Sequence, residues 1–140
     1  MERWIVYALI PMVFAGFTSV IAKLGLSGIS GDLGLAMHTC FVFVFVLMFA
    51  AAVVPASALA SLDARNIGWL AVSAVTTAGS WIFYYKAIKL GDVSTVALID
   101  KGSVVIAVLL SFWMLDEAVN VPKLIGALLI VAGLLVMARG

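Results

Sequence analysis

Residues 34–54 read GLAMHTCFVFVFVLMFAAAVV, a stretch that contains no Asp, Glu, Lys or Arg. An α-helix needs about 20 predominantly apolar residues to cross the hydrocarbon core of a bilayer, and this stretch has that length. Its centre, residues 41–49, alternates phenylalanine with valine and by local propensity resembles a strand. Inside a bilayer, however, every backbone amide must be bonded internally. We therefore expect a membrane-spanning helix here.

Similar apolar stretches lie on both sides of this one. Together they predict an all-α integral membrane protein with about five transmembrane helices in a single domain over residues 1–140. The connections contain the residues that break helices, such as the Gly91-Asp92 pair, and Asn120 is predicted to cap the last helix with Pro122 in its first turn. The expected spans are residues 4–22, 34–54, 67–86, 94–115 and 121–138.

The composition supports a membrane location for nearly the whole chain. Of its 140 residues, 66% are hydrophobic and 11% are charged. Soluble domains usually contain about 45–50% apolar and about 25% charged residues. A small water-soluble fold has too much surface to hide such an excess of apolar side chains. We expect a multi-pass protein of the inner (plasma) membrane, with the lipid bilayer as its main surroundings.

Several classes of function are disfavoured by the same composition. The formal net charge is +1, so there is no basic field to hold a nucleic acid. A lone cysteine, Cys40, can form neither an internal disulfide nor a cysteine metal motif. No glycine-rich phosphate loop and no arrangement of catalytic side chains is recognisable. We expect no enzyme activity, no cofactor and no metal.

The basic residues outside the spans do not indicate one orientation. Five spans place the two ends of the chain on opposite sides, and three basic residues then face four, with Lys101 set aside because it lies within a span. The positive-inside rule needs an excess on one side. Two interpretations stay open: copies that insert both ways and pair antiparallel, or one orientation set by weak signals. The two sets are Arg3, Arg65 and Lys123 against Lys23, Lys86, Lys89 and Arg139.

Asp100 and Lys101 are the clearest polar groups within a predicted span. Ionisable side chains in lipid cost about 2.5–3.5 kcal/mol on insertion scales, so they are functional candidates by default. Adjacent residues of an α-helix point about 100° apart. We therefore expect that this pair does not neutralise itself, and that each group needs another partner, a water-filled cavity or a changed protonation state.

The threading of the helices predicts a polar vestibule on one side of the membrane. Spans one and three end on the side where spans two and four begin, so the polar residues near those ends share one half of the bilayer. His38 is a candidate for proton coupling, but a single histidine near an interface is more often a polar anchor. The residues concerned are Lys23, His38, Tyr84, Tyr85, Lys86, Asp100 and Lys101.

Two sets of mostly polar residues recur at helical spacing. Each set shares one helical face, and the two faces are candidates for lining a substrate path. The alternative is that the hydroxyls bond to their own backbone or to a neighbouring helix, as is common in membrane bundles. The sets are Ser73, Thr77, Ser80 and Tyr84 in span three, and Asp100, Ser103, Ala107 and Ser111 in span four.

The order of short motifs along the chain resembles the EamA family of the drug/metabolite transporter superfamily. The resemblance covers nearly the whole sequence, although each motif is loose by itself. The motifs are FAGFT (14–18) with AKLG (22–25), YYKA (84–87) with LGD (90–92), DKGSVV (100–105), LDE (115–117), and IGA (125–127) with AG (132–133).

The resemblance implies a small-molecule transporter. Larger members carry two five-helix repeats in inverted orientation, whereas this chain has one. The resemblance therefore implies a homodimer that builds the ten-helix unit. The two copies would be antiparallel if both orientations occur. Alternating access to a site between the repeats would follow. We expect substrate to contact Trp81, Tyr84, Asp100, Lys101, Ser103 and His38, with Asp100 as the candidate for proton or cation coupling.

Two other functions stay open, and two positions depart from the family pattern. The chain could be a lipid or lipid-linked flippase subunit, or a non-transporting subunit in which Asp100 and Lys101 interlock at an interface. His38 stands where close relatives of the family are expected to have arginine. Leu115-Asp116-Glu117 replaces the usual Leu-Gly-Glu at the end of span four, which doubles the acidity there.

Overall fold

The computed structural model describes residues 3–137, and every regular element among them is helical. This confirms the all-α prediction, including a helix over the phenylalanine–valine alternation. The elements in chain order are α1 (Arg3–Gly25), α2 (Gly31–Val53), a 3₁₀ helix (Ala56–Ser61), α3 (Ala64–Leu90), α4 (Val93–Asp100), α5 (Ser103–Leu115) and α6 (Val121–Met137).

Within residues 3–137, four segments are long and apolar enough to cross a membrane. They are α1, α2, α3 and the continuous stretch Val93–Leu115 that contains α4 and α5. The last helix, α6, is apolar but has 17 described residues. At about 1.5 Å per residue it reaches about 25 Å, short of the roughly 30 Å core. The fifth span therefore stays a prediction.

Side-chain caps begin three of the helices. The Ser30 hydroxyl accepts a hydrogen bond from the Leu33 N–H at 3.2 Å at the start of α2. Asp92 caps α4 in the same way. Asn120 Oδ1 accepts from the Lys123 N–H at 3.1 Å, which confirms the predicted cap of α6. Such caps satisfy amides that have no partner within the helix.

Two compact units make up the chain. The first, here called the α2–α3 unit, is Ile21–Leu90, in which α2 packs along α3. The second, the α4–α6 unit, comprises the described parts of Met1–Val20 and Gly91–Gly140, and in it α6 packs against α4 and α5. The large apolar side chains that are fully buried among the described residues all lie in the α2–α3 unit: Leu26, Tyr85 and Ile88.

Two lysines tie the ends of α1 and α3 together within the α2–α3 unit. Lys23 Nζ donates to the Ile88 carbonyl oxygen at 2.5 Å, and Lys89 Nζ donates to the Leu26 carbonyl oxygen at 2.8 Å. The last carbonyls of a helix have no partner within it, and they carry partial negative charge that favours cations. Lys23 therefore stabilises the end of α3 at Ile88, and Lys89 stabilises the chain just after α1 at Leu26.

Gly31 allows α2 to begin directly against the end of α3. A Cβ atom at this position would lie 2.9 Å from the Tyr85 carbonyl oxygen, closer than real Cβ atoms approach backbone. The absence of a side chain is therefore what brings the two helices into contact at this point.

The fourth span, Val93–Leu115, is one stretch of membrane-crossing length, but its hydrogen bonding changes at residues 101–102 between α4 and α5. The turn between α4 and α5 uses i→i−3 bonds, with the Gly102 N–H donating to the Ile99 carbonyl at 2.9 Å and the Val104 N–H to the Lys101 carbonyl at 3.1 Å. A Cβ atom at Gly102 would lie 2.9 Å from Leu134 Cδ1 of α6. The absence of a side chain at Gly102 thus leaves room for Leu134 of α6 beside this turn.

Most large apolar side chains of the described residues are exposed. Phe45 of α2 and Trp113 of α5, for example, are 66% and 78% exposed. Contiguous apolar surface of this extent is unstable in water and is suited to lipid or to a protein partner within the bilayer. The surface agrees with a multi-pass membrane protein.

Asp116 ends α5 in a left-handed conformation. Its φ is 51°, a region where L-residues other than glycine are strained, although aspartate tolerates it better than most. The Glu117 N–H donates to the Ser111 carbonyl at 3.3 Å, so the residue that follows Asp116 remains bonded to the last turns of α5. The glycine expected here from the family pattern suits this geometry, and the aspartate is a local departure from it.

We predict that Asp116→Gly stabilises the protein by about 0.5–1 kcal/mol, because glycine adopts positive φ without steric cost. Thermal denaturation of the purified protein in detergent measures the effect. Asp116→Asn controls for the lost charge and should stay near wild type, while Asp116→Ala should be less stable than either. A lower melting temperature for Asp116→Gly would show that the carboxylate itself stabilises this end of α5.

Candidate functional site

A groove of about 790 Å³ lies between α2 and α3. This volume is in the range of pockets that bind drug-sized molecules, about 300–1,000 Å³. Its walls are mostly apolar, with a few hydroxyls and one carboxylate. The lining residues are Asp32, Leu35, Ala36 and Thr39 from α2, and Leu70, Ser73, Ala74, Thr77, Ala78, Trp81 and Ile82 from α3.

The groove contains part of the polar face predicted for span three. Ser73 and Thr77 line it, but Ser80 and Tyr84 are not among the lining residues, and Trp81 is. The Thr77 hydroxyl donates to the Ser73 carbonyl at 2.9 Å, so its proton is used within its own helix. Thr77 therefore offers a ligand only the lone pairs of its oxygen.

An aromatic cluster continues from the groove wall toward the end of α3. The His38 ring lies 5.7 Å from the Trp81 ring, edge to face, and 5.4 Å from the Tyr85 ring, measured between centroids. The Tyr84 and Tyr85 rings are 6.5 Å apart. Aromatic pairs at such distances stabilise each other by about 0.5–1.5 kcal/mol beyond their buried area. Of the predicted site residues, His38 thus contacts Trp81 directly and is connected to Tyr84 through Tyr85.

Tyr85 is the most unusual member of this cluster. Its side chain is 5% exposed, and its hydroxyl is buried with no hydrogen-bond partner among the described residues. A buried polar group without a partner typically costs about 1–3 kcal/mol. The sequence suggested only that Tyr85 belongs to a polar region, because nothing in the local pattern distinguishes a buried tyrosine from an interfacial one.

An ion pair between Asp32 and Lys86 lies next to the groove. Lys86 Nζ is 3.3 Å from Asp32 Oδ1, and the two side chains are 51% and 68% exposed. Asp32 lines the groove, and its position in the first turn of α2 is favourable for a carboxylate. Sequence reasoning missed Asp32 as a site residue, since it was assigned to the connection before span two.

The Asp100–Lys101 pair departs from its predicted behaviour. Lys101 Nζ lies 3.3 Å from Asp100 Oδ2, so the two neighbours do pair with each other, contrary to our expectation. That expectation assumed a continuous α-helix. The helix ends at Asp100, and Lys101 is in the turn that precedes Ser103, the first residue of α5. Flexible side chains on such a turn can meet where those on a regular helix point apart.

The second predicted polar face is divided by the same turn. Asp100 lies at the end of α4, whereas Ser103 and Ser111 belong to α5. The Ser111 hydroxyl donates to the Val108 carbonyl of its own helix at 3.1 Å. The predicted site residues thus form two groups, the aromatic cluster in the α2–α3 unit and Asp100, Lys101 and Ser103 at the interruption in the α4–α6 unit.

We predict that Tyr85→Phe leaves the melting temperature unchanged or raises it by the equivalent of up to about 1 kcal/mol, because an unsatisfied buried hydroxyl is removed. Denaturation in detergent is the measurement. Tyr7→Phe is the matched control, since Tyr7 is 73% exposed and surface changes usually stay within about 0.5 kcal/mol. If Tyr85→Phe is clearly destabilised while Tyr7→Phe is not, the Tyr85 hydroxyl has a partner in the assembled protein.

Comparison with known proteins gives one sequence family and one curated relative. No solved structure matches the chain significantly. A Sinorhizobium sp. protein described as an uncharacterized transporter in the cobO 3′ region is 31% identical over 137 residues, which cover 98% of this chain and 97% of that relative. The model of the EamA-like transporter family matches residues 2–139. The chain therefore belongs to the EamA-like transporter family and is a multi-pass membrane transporter.

Proposed function

We propose that this transporter moves small molecules across the cell's inner membrane by alternating access, as a homodimer of two inverted copies. Larger relatives are expected to contain two inverted repeats, and this chain matches one repeat over residues 2–139. A second copy would supply the missing half. The near-equal basic charge on the two sides, three residues against four, supports copies in both orientations.

The observation that carries this proposal is the interruption of the fourth span at its charged pair. Helices that break within the membrane are a recurrent device of transporters, because the freed backbone groups and the charges nearby bind substrate or coupling ions. Here α4 ends at Asp100, and α5 begins at Ser103 after a turn that holds Lys101. A charged pair without a function in a membrane-spanning segment would make insertion less favourable and bring no advantage.

We assign Asp100 the coupling role and Lys101 the role of its exchangeable partner. Each is partly exposed, Asp100 by 39% and Lys101 by 54%, so their pairing is open to competition from a proton or a cation. Substrate-binding roles are proposed for Lys101 and Ser103 beside this turn, and for Trp81, Tyr84 and His38 in the aromatic cluster. No catalytic role is proposed for any residue.

A lipid flippase is the second candidate, and the groove between α2 and α3 favours it. The lining is predominantly apolar, with Asp32 as its ionisable member, which is the character that an amphiphile requires. Under this alternative, long-chain ligands raise the melting temperature and small polar ligands do not. Under the leading proposal, small polar or moderately apolar solutes stabilise the protein.

We predict that Asp100→Asn lowers coupled transport by at least about tenfold, because an uncharged amide cannot exchange a proton or hold a cation. The measurement uses proteoliposomes containing the full chain and an internal pH dye, tested with a panel of metabolites, amines and toxic organic ions. The solute that gives a signal with wild type is then used for every variant.

Asp63→Asn is the matched control, since Asp63 lies between the 3₁₀ helix and α3 and outside both. It should transport as wild type does. Equal protein content of the liposomes is checked for each variant. Full, still-coupled transport by Asp100→Asn would contradict the coupling role, and loss of dimers in that variant would favour an assembly role for the Asp100–Lys101 pair.

A further inference from the structure

We propose that the groove between α2 and α3 selects hydrophobic organic cations, with Asp32 and Trp81 as the residues that recognise the charge. This inference rests on the proposed transport function and specifies its substrate class. It uses a residue, Asp32, that has no part in the proposed coupling.

The walls of the groove match the apolar body of such a molecule. Leucine, isoleucine and alanine side chains from both helices, such as Leu35, Leu70 and Ile82, form most of the surface. The volume of about 790 Å³ accommodates a molecule the size of a typical drug. A small, strongly hydrated solute would leave this apolar surface without contacts, so the groove favours ligands with a sizeable hydrocarbon part.

The polar groups of the groove favour a positive ligand. Among the described residues that line it, Asp32 is the one with an ionisable side chain, and an ionised carboxylate only accepts hydrogen bonds. Thr77 also presents only acceptors, because its proton is donated to Ser73. The described lining residues include no lysine or arginine, and Lys86, the cation next to the groove, is paired with Asp32. An anion would therefore meet like charge at Asp32 within the lining.

The charge of Asp32 is available to a ligand. Its contact with Lys86 is 3.3 Å long, but both side chains are at least half exposed. Exposed pairs of this kind contribute about 0–1 kcal/mol, so the cation of a ligand can replace the lysine at little cost. Lys86 would then act as a competitor that keeps the carboxylate paired when the groove is empty.

Trp81 supplies a second group that attracts cations. The indole ring has the strongest attraction for cations among aromatic side chains, through the negative face of its π-system. Trp81 lines the groove on α3, and its ring is held by the edge-to-face contact with His38 at 5.7 Å. A carboxylate and a tryptophan in one apolar groove are two independent features that favour the same ligand charge.

The position of Asp32 fits the shape of an amphiphilic cation. It lies in the first turn of α2, at one end of that helix, whereas the apolar lining continues along α2 and α3 toward their middle. The carboxylate is therefore placed near the membrane boundary and the apolar wall inside the hydrocarbon. A ligand with a charged end and an apolar body can satisfy both regions at once.

Two ions of the same shape and opposite charge test this inference. The full chain is placed in nanodiscs of neutral lipid, and binding of tetraphenylphosphonium and tetraphenylborate is measured by equilibrium dialysis, with binding to empty nanodiscs subtracted. We expect the protein-dependent affinity for the cation to exceed that for the anion by at least about tenfold. Equal binding, or a preference for the anion, would overturn the proposal.

Four variants test whether the preference for the cation over the anion arises in the groove. Asp32→Asn should lose the preference, Asp32→Glu should keep it, and Asp63→Asn should behave as wild type. Trp81→Leu should weaken binding of the cation severalfold and leave binding of the anion unchanged. A preference that survives in Asp32→Asn would overturn the role of Asp32, and unchanged cation binding by Trp81→Leu would overturn that of Trp81.

Lys86→Gln keeps the test decisive if Asp32→Asn does not fold. Removing the competing ammonium frees the Asp32 carboxylate, so the cation should bind more tightly than to wild type. Unchanged or weaker binding would overturn the proposal. Failure of this inference and failure of the proposed function give different results. Solute transport without a preference for the cation would contradict only the proposed selectivity. Cation binding without any transport would contradict the transport function but not the binding site.

Discussion

The hydrocarbon core of a bilayer offers a peptide group no water to bond with, and this constraint decides most of the structure. It explains why residues 41–49, whose side chains alternate as in a strand, lie within the helix α2. It also makes the exception informative. The turn between α4 and α5 gives up regular i→i−4 bonding within an apolar span, and it does so beside the charged residues of that span, Asp100 and Lys101.

The α2–α3 unit shows how a few local features create a binding groove. Lys23 and Lys89 join the ends of α1 and α3, and Gly31 lets α2 begin against the backbone of Tyr85. The helices are thus in closest contact around the buried side chains near this end, while the groove lies along the side chains of α2 and α3, from Asp32 to Leu70. An anchored end and an apolar groove beside it are the features that a membrane transporter needs to hold a solute.

Much of the fold follows from the sequence because hydrophobic length is a strong signal in membranes. The helices α1, α2 and α3 and the family were predicted, and so was the cap at Asn120. The pairing of Asp100 with Lys101 was not, because apolar periodicity does not reveal the turn between α4 and α5 at which the two side chains meet. Asp32 was missed for a related reason, since a carboxylate at the edge of a span gives no sign of the groove that the neighbouring helix forms with it.

The central claim is that one copy of this chain supplies half of a transport unit and an inverted copy supplies the rest. Orientation is the most direct test. Single cysteines at Ser27 and Ser57, which lie in successive connections and are exposed, are introduced in a Cys40→Ala background. Intact cells are labelled with an impermeant maleimide before and after permeabilisation. The account predicts that each site is labelled in about half of the molecules from outside, as equal insertion in both orientations requires. Full labelling of one site and none of the other would contradict an inverted homodimer.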